Sequence, residues 1–435
     1  MSPILAGVLG SALLMVLLLL GMPIAFMMMT VGFLGIWHLS SLDAALPIVA
    51  KTLYGVAAHY PYTIIPLFIL MGGFASTAGI TRELYETFDK WFRRLPGGLG
   101  VATIAACAGF AAVSGSSVAA AAAMGNVALP EMRRFGYAPR LATGVVAAGG
   151  TLSFLIPPSL GFVVYGMLTE QSIGKLLISG VFPGIILAGV YGLLVVGWAL
   201  LRPQMAPVSP ERVSLVEKVL ALKGIWETFL VFLLVMGGIY LGFINPTEAG
   251  AIGAFALLVI VLLKRRLTWR AAVAALLESA RISIMVLFLV AGATVFSYFL
   301  ALSTIPAAVS GWIAGLQISR YLVLAIIVLI YFFLGCFLDA VSMMVLTLPV
   351  IFPVILALQF HPIWFGVVAI LMMEAGLITP PVGLNVYTLA GVAKDVPMAE
   401  IFRGSVPFLA AIVVTAVILT MFPGIVLYLP SLMGR

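Results

Sequence analysis

Apolar segments of membrane-spanning length follow one another through almost the whole of this sequence. A transmembrane helix needs about 20 mainly apolar residues. The segments that fit are 4–20, 24–39, 63–80, 141–168, 176–201, 226–244, 248–263, 281–300, 363–389 and 405–429. Hydrophobic residues make up 63% of the chain and charged residues 9%, whereas soluble domains carry about 25% charged residues. The sequence therefore predicts an all-α polytopic membrane protein without a separate soluble domain.

Two further apolar stretches, 98–130 and 322–357, are each long enough for two half-crossings. Small or polar residues interrupt each in the middle, at 114–117 and at 335–339. Irregular backbone at membrane depth is tolerated where it is buried in protein or faces water. We therefore predict two re-entrant hairpins, with a pair of ordinary short spans in each stretch as the alternative.

The basic residues predict the orientation of the chain in the membrane. If both termini lie outside, only Lys51, Lys175, Arg320 and Arg435 of the 22 Lys and Arg residues fall on the outer side. Cytoplasmic loops are enriched in Lys and Arg, so we expect both termini on the outer, periplasmic side. The net charge of +7 then reflects topology and not nucleic-acid binding.

Amphipathic segments with aromatic residues among their charges occur at 82–95 and 268–280. Helices of this composition lie along a membrane interface, and here the charge distribution puts them on the inner side. A solvated loop is the alternative for each.

The two halves of the chain repeat one order of features. The halves are 1–201 and 226–435, joined by a predicted cytoplasmic linker at 202–225. Ser116 precedes Pro157 by 41 residues and Asp339 precedes Pro380 by 41 residues. An odd number of crossings in each half gives the halves opposite orientation. Inverted repeats with interrupted helices are typical of secondary transporters, and chance spacing of prolines is the alternative.

Each half has one crossing interrupted by a proline pair, Pro157-Pro158 in 141–168 and Pro380-Pro381 in 363–389. Proline has no amide hydrogen and its ring clashes with the carbonyl four residues back. The pairs therefore free the carbonyls of Ser153, Phe154, Gly376 and Leu377, which is costly in a bilayer unless a partner is found. Transporters place sodium at such unwound backbone; the alternative is a kink whose carbonyls are met by neighbouring helices or water.

The residues predicted to bind sodium lie at the hairpin tips and at the breaks. They are Ser114, Gly115, Ser116, Gly149, Gly150, Thr151, Ser153, Gly335, Asp339, Gly376, Thr379, Pro380 and Gly383. Asp339 is the strongest candidate of this set. A buried acid costs about 2.5–3.5 kcal/mol on insertion scales, so it needs a cation, a proton or a hydrogen-bond donor as a partner.

A helix that starts at the first hairpin tip predicts a place for a substrate carboxylate. Its N-terminus carries a partial positive charge and free amide groups. The predicted substrate-binding residues are Ser116, Ser117, Pro158 and Asn385. Asn385 has a second interpretation, a hydrogen bond to a neighbouring helix. Glu374 also has two interpretations. It is either a buried acid that needs a partner or a residue at a helix boundary whose side chain reaches water.

Other chemistry has little support in the sequence. The two cysteines lie within apolar segments, the three histidines are scattered, and no Walker loop, HExxH or GxSxG motif occurs. These motifs would indicate nucleotide hydrolysis, zinc hydrolysis and acyl transfer. We therefore predict no enzymatic activity and no cofactor, with Na⁺ as the coupling ion and no bound metal beyond it.

At the predicted hairpin tips and proline breaks, the chain resembles the large membrane subunit of the tripartite ATP-independent periplasmic (TRAP) transporters. The matching stretches are SGSSVAAAAAMG (114–125), PEMRRFGY (130–137), AAGGTLSFLIPPS (147–159), FLDAVSMM (337–344) and TPPVGLN (379–385). The sequence departs from the family pattern at Ser153-Phe154, where a Gly-containing pair is expected, and at 373–375, where an Asn-containing stretch is usual.

The resemblance implies an elevator-type transporter of the bacterial inner membrane, driven by a sodium gradient. Hairpins and broken helices would form the mobile part, with the scaffold helices at 4–39 and 226–263. It also implies two partners, a small four-helix membrane subunit and a periplasmic binding protein that delivers an organic acid. The acid is commonly a C4-dicarboxylate, a sialic acid or another carboxylate. The alternative is a stand-alone carboxylate transporter that needs no binding protein.

Overall fold

The computed structural model describes residues 2–208, 211, 213–315 and 318–433, which form helices joined by short turns without a strand. The all-α prediction is therefore confirmed for this part of the chain. The predicted linker at 202–225 includes residues 209, 210 and 212, which lie outside the described residues, as does Arg435.

The first half consists of helices α1 to α11. They are α1 (Pro3–Leu19), α2 (Ile24–Leu39), α3 (Leu42–Ala58), α4 (Ile64–Thr77), α5 (Ile80–Phe92), α6 (Gly98–Ser114), α7 (Ser117–Arg134), α8 (Pro139–Leu155), α9 (Leu160–Thr169), α10 (Ile173–Ser179) and α11 (Val181–Leu201).

A short helix α12 (Leu215–Ala221) lies in the linker, and the second half follows it. Its helices are α13 (Trp226–Phe232), α14 (Gly238–Tyr240), α15 (Pro246–Leu263), α16 (Trp269–Ser303), α17 (Ile305–Gly315), α18 (Arg320–Gly335), α19 (Ala340–Ala357), α20 (Pro362–Leu377), α21 (Leu384–Val392), α22 (Met398–Met421) and α23 (Gly424–Leu432). A π-helical stretch, Leu233–Gly237, joins α13 to α14.

Side-chain caps fix where several of these helices begin. The Ser159 hydroxyl accepts a hydrogen bond from the Gly161 amide (3.1 Å) at the start of α9. Asn245 and Glu248 form a reciprocal capping box at the start of α15, with distances of 2.9 and 2.8 Å. Such caps satisfy amide groups that lack an intrahelical partner. Helix starts are therefore set locally by the sequence.

Helix length and composition support a multi-pass membrane protein. Within the described residues, the segments long and apolar enough to cross a bilayer are Tyr60–Thr77, Ile173–Leu201, Pro246–Leu263, Trp269–Ser303, Ala340–Ala357 and Met398–Met421. Two helix pairs pass the same test together but are bent, α8 with α9 by 42° and Leu215–Gly224 with Trp226–Tyr240 by 48°. Shorter apolar helices include α1, α2, α6, α18 and α20. The helix α19, predicted as one arm of a hairpin, is by itself long enough to cross.

The structure differs from the prediction at several elements, among them α16, α3 and α17, and no element was predicted for the segment of α17. The predicted interfacial segment 268–280 and crossing 281–300 form one continuous 35-residue helix, α16. Neither glycine nor proline occurs in it before Gly292, so no residue breaks the helix at the expected junction. Helix α3, for which no element was predicted, begins after Ser41, whose hydroxyl accepts from the Ala44 amide at 3.2 Å.

Two helices form the centre of the molecule, one from each half. Every residue from Leu141 to Leu155 in α8 is buried, and so is every residue from Ile363 to Leu377 in α20. Helix α8 packs against α6 and α7 of its own half and against α20, α21 and α22 of the other half. The core therefore lies where the two halves interlock, beside both proline breaks.

Candidate ion- and substrate-binding site

The tip of the first hairpin lies directly against the first proline break. Gly115 separates α6 from α7 and has a positive φ of 65°. A Cβ atom at this position would lie 3.0 Å from the carbonyl oxygen of Pro158. Glycine is required both by the backbone conformation and by the close approach. The first hairpin and the first proline break therefore form one compact unit within the first half of the chain.

The second hairpin tip meets the second break in a corresponding way. A Cβ atom at Gly376 would lie 2.4 Å from the backbone carbon of Gly335. The carbonyl of Cys336 accepts hydrogen bonds from the amides of Val382 (3.2 Å) and Gly383 (3.4 Å). The tip between α18 and α19 is therefore fastened by backbone to the segment between α20 and α21.

Two of the carbonyls freed by the proline pairs have donors from the chain itself. The Ser159 hydroxyl donates to the Phe154 carbonyl, and the Thr379 amide donates to the Gly376 carbonyl at 3.0 Å. For these two carbonyls the contacts agree with the alternative interpretation, a kink whose freed carbonyls are satisfied by the protein itself.

Asp339 is half-buried and caps helix α19. Its carboxylate accepts from the Ser342 amide at 3.0 Å and from the Ser342 hydroxyl. The hydrogen-bond donor expected for this acid is thus Ser342. Ser116 has the corresponding cap position on α7, where its hydroxyl accepts from the Ala119 amide at 3.4 Å.

Contacts between the halves bring predicted residues together. The Ser117 hydroxyl donates to Oε2 of Glu374 at 2.5 Å, and Glu374 is 1% exposed. The interpretation of Glu374 as a boundary residue reaching water is therefore wrong. Asn385 is fully buried, and its amide donates to the carbonyl of Ala147 at 3.3 Å. Both contacts join the first half of the chain to the second.

Three consecutive residues of α8 contact three different helices. A Cβ atom at Gly149 would meet Cys107 of α6 at 2.5 Å, and one at Gly150 would meet the Ser117 carbonyl of α7 at 2.9 Å. The Thr151 hydroxyl lies 3.0 Å from the hydroxyl of Tyr191 on α11. These residues were predicted as ligands together, yet they face different neighbours. The Ser153 hydroxyl is buried and has no hydrogen-bond partner among the described residues.

A cavity of about 140 Å³ opens at the tip of the first hairpin. The predicted residues Ser114, Gly115 and Ser116 line one wall. The opposite wall comes from α4 and α16 and includes Glu278 and Ser279. Sequence reasoning missed these two residues because only the packing of α16 against the hairpin brings them there. The other predicted residues, including Pro158, Asp339 and Asn385, do not line this cavity.

Within the described residues, no three His, Cys, Asp or Glu side chains come together as a metal-binding group. The donors that the two tips offer are hydroxyl and carbonyl oxygens together with the Asp339 carboxylate. Hard cations such as Na⁺ prefer oxygen ligands, so the available donors fit the predicted ion.

Comparison with known proteins decides the family. Residues 11–425 match the family described as the tripartite ATP-independent periplasmic transporter, DctM component. The chain belongs to this family. The resemblance to the TRAP large permeases is therefore confirmed, and the family assigns transport and not an enzymatic reaction to the chain.

Several curated relatives cover nearly the whole chain. The C4-dicarboxylate TRAP transporter large permease protein DctM of Pseudomonas aeruginosa is 36% identical over 387 residues, covering 88% of this chain and 90% of that protein. The corresponding protein of Rhodobacter capsulatus is 33% identical and covers 97% of this chain and 98% of its own length. The sialic acid TRAP transporter large permease protein SiaM of Vibrio cholerae is 29% identical, with 96% of each chain covered.

A solved structure supports the fold. The YdaH transporter of Alcanivorax borkumensis superposes with a TM-score of 0.66 at 14% identity, covering 88% of this chain and 89% of that chain. The DctM-family chain thus shares its helical architecture with a membrane transporter of distant sequence.

Proposed function

We propose that this DctM-family chain is the subunit through which a sodium-coupled TRAP transporter imports an organic acid across the bacterial inner membrane. Relatives are named for C4-dicarboxylate, sialic acid and 2,3-diketo-L-gulonate, all of which carry carboxylates. The family name describes a tripartite system, so two partners are proposed, a small four-helix membrane subunit and a periplasmic binding protein. Both termini are proposed to be periplasmic, from the distribution of basic residues.

The proposed mechanism is an elevator movement within an inverted repeat. Its main support is that each hairpin tip packs against the break of its own half, Gly115 against Pro158 and Gly335 against Gly376. The contact between Ser117 and Glu374 (2.5 Å) joins the two units. Close-packed units have low compressibility, so we expect each tip and its break to move together. The scaffold would comprise 4–39 and 226–263.

The test is thermal unfolding of the purified chain in sodium, potassium and choline chloride at equal ionic strength. A ligand at about 100 times its dissociation constant adds about 2.7 kcal/mol to stability. We expect a sodium-selective rise in the melting temperature that is reduced in Ser116→Ala and Asp339→Ala. Loss of either cap lowers the baseline stability by about 1 kcal/mol, so the increment caused by sodium is the quantity compared.

Ser310→Ala is a matched control, because the Ser310 hydroxyl donates to the Pro306 carbonyl within α17 and does not line the cavity at the first tip. The proposed sodium coupling would be contradicted if the assembled transporter still took up substrate after complete replacement of sodium. Uptake at low substrate without any binding protein would favour the stand-alone transporter instead.

A further inference from the structure

The cavity at the first hairpin tip has two chemically different ends. Its walls come from the hairpin on one side and from α4 and α16 on the other. Gly72 of α4 allows this approach, since a Cβ atom there would lie 3.0 Å from the Ser114 carbonyl. Among the described residues that line the cavity, none is Lys or Arg. A bound acid would therefore be held without the basic side chain that usually neutralises a carboxylate.

One end is suited to a single carboxylate. Ser116 and Ala119, at the start of α7, line this end of the cavity, and the N-terminal end of the helix carries a partial positive charge. Ser114 is 9% exposed and lines the cavity, and its hydroxyl has no hydrogen-bond partner among the described residues. The corresponding end of α19 is occupied by the carboxylate of Asp339. The cap of α7 is instead the neutral hydroxyl of Ser116, so the first tip carries no negative charge that would repel a bound carboxylate.

The other end is suited to a hydrogen-bond donor. Ser279 is 5% exposed, lines the cavity, and its hydroxyl makes no hydrogen bond within the described part of the chain. Glu278 is exposed and forms no ion pair with another described residue. Arg281, one turn further along α16, lines a separate cavity beside Phe26. A carboxylate in this position attracts hydroxyl and ammonium groups and repels a second carboxylate.

We infer that the cavity selects a small monocarboxylate that also carries a hydroxyl or amino group, and that it disfavours dicarboxylates. The inference rests on the proposed function, because it assigns the substrate class of the same site. The carboxylate lies at the start of α7 with Ser114, and the donor group faces Glu278 and Ser279. The volume of about 140 Å³ is below the range of roughly 300–1,000 Å³ for pockets of drug-sized ligands, which suits an acid of a few carbon atoms.

The test measures dissociation constants of the purified full chain for lactate, propionate and malonate, three acids of similar size. No binding protein is present, so the selectivity is that of the chain itself. We expect lactate to bind about tenfold more tightly than either other acid, which corresponds to one hydrogen bond to a charged group. Glu278→Gln should lower the ratio of lactate to malonate affinity about tenfold. Ser279→Ala should lower the ratio of lactate to propionate affinity.

Ser303→Ala and Glu400→Gln are matched controls that should leave both ratios unchanged. Ser303 lies at the far end of α16, and Glu400 pairs with Arg403 on α22. Tightest binding of malonate, with no effect of Glu278→Gln, would overturn the inference and leave the proposed transport of organic acids standing. Failure of all three acids to bind would also overturn it. Uptake by the assembled transporter then tests the proposed function separately.

Discussion

Single glycines determine how closely the hairpin tips approach the breaks. Gly335 and Gly376 contact through their backbones, so that a Cβ atom at either meets main-chain atoms of the other. Main-chain atoms cannot rotate away as the end of a flexible side chain can. The glycines at this contact are therefore required by packing, although Gly376 has an ordinary helical position in α20.

Gly376→Ala is expected to lower the free energy of unfolding by about 1–3 kcal/mol, because overpacking at a close contact forces the backbone to shift. Gly189→Ala is the matched control, since nothing lies within 4 Å of a Cβ atom at this position in α11. The control should be neutral or more stable by about 0.5–1 kcal/mol. Thermal or denaturant unfolding in detergent measures both, and equal effects would contradict the close contact.

At the scale of elements, the amphipathic helix α5 is fastened to the second half of the chain. Lys264 lies 2.5 Å from both Glu83 of α5 and Glu227 of α13, and Arg266 lies 3.1 Å from Glu83. The Trp91 indole donates to the Lys218 carbonyl of α12 at 3.0 Å. The segment predicted as an interfacial helix at 82–95 therefore has protein partners on the linker and on the first helices of the second half.

Lys264→Met should destabilise the protein by about 2 kcal/mol, less than the 3–5 kcal/mol typical of breaking a fully buried ion pair. The reason is that Glu227, with its side chain 6% exposed, loses its cation. Adding Glu227→Gln to this variant should restore part of the loss. Lys394→Met, at an exposed position, is the control. The predicted role of Lys264 fails if both lysine variants unfold alike.

At the scale of the whole molecule, the two halves interlock and do not merely stack. Helix α8 of the first half is buried against α20, α21 and α22 of the second. The hydrogen bond from Ser117 to Glu374 and that from Asn385 to Ala147 cross the same boundary. A movement of one hairpin unit would therefore be transmitted to the other.

A cysteine at the first hairpin tip should change its accessibility during transport. In a background without Cys107 and Cys336, Ser116→Cys is expected to react with a thiol reagent at different rates with and without sodium and substrate. His38→Cys, at an exposed position near the end of α2, should react at a constant rate, because 4–39 belongs to the proposed scaffold. Invariant labelling of the tip would count against the elevator movement.

Local chemistry made much of the fold predictable. The proline pairs end α8 and precede α21, and Ser116, Ser159 and Asn245 fix helix starts by capping, because these effects act within a few residues. Family motifs at the same positions located both tips and both breaks. The continuity of α16 was missed because the amphipathic pattern of 268–280 was interpreted as a separate element, although no helix breaker follows it.

The sequence by itself determined the membrane class, the family and the positions at which helices start and break, since each depends on composition or on neighbouring residues. Only the tertiary structure decided that Glu374 is buried against Ser117, that Gly149, Gly150 and Thr151 face three different helices, and that Glu278 and Ser279 face the first hairpin tip. These relations join residues far apart in the chain, and they follow from how whole helices pack, which no local pattern encodes.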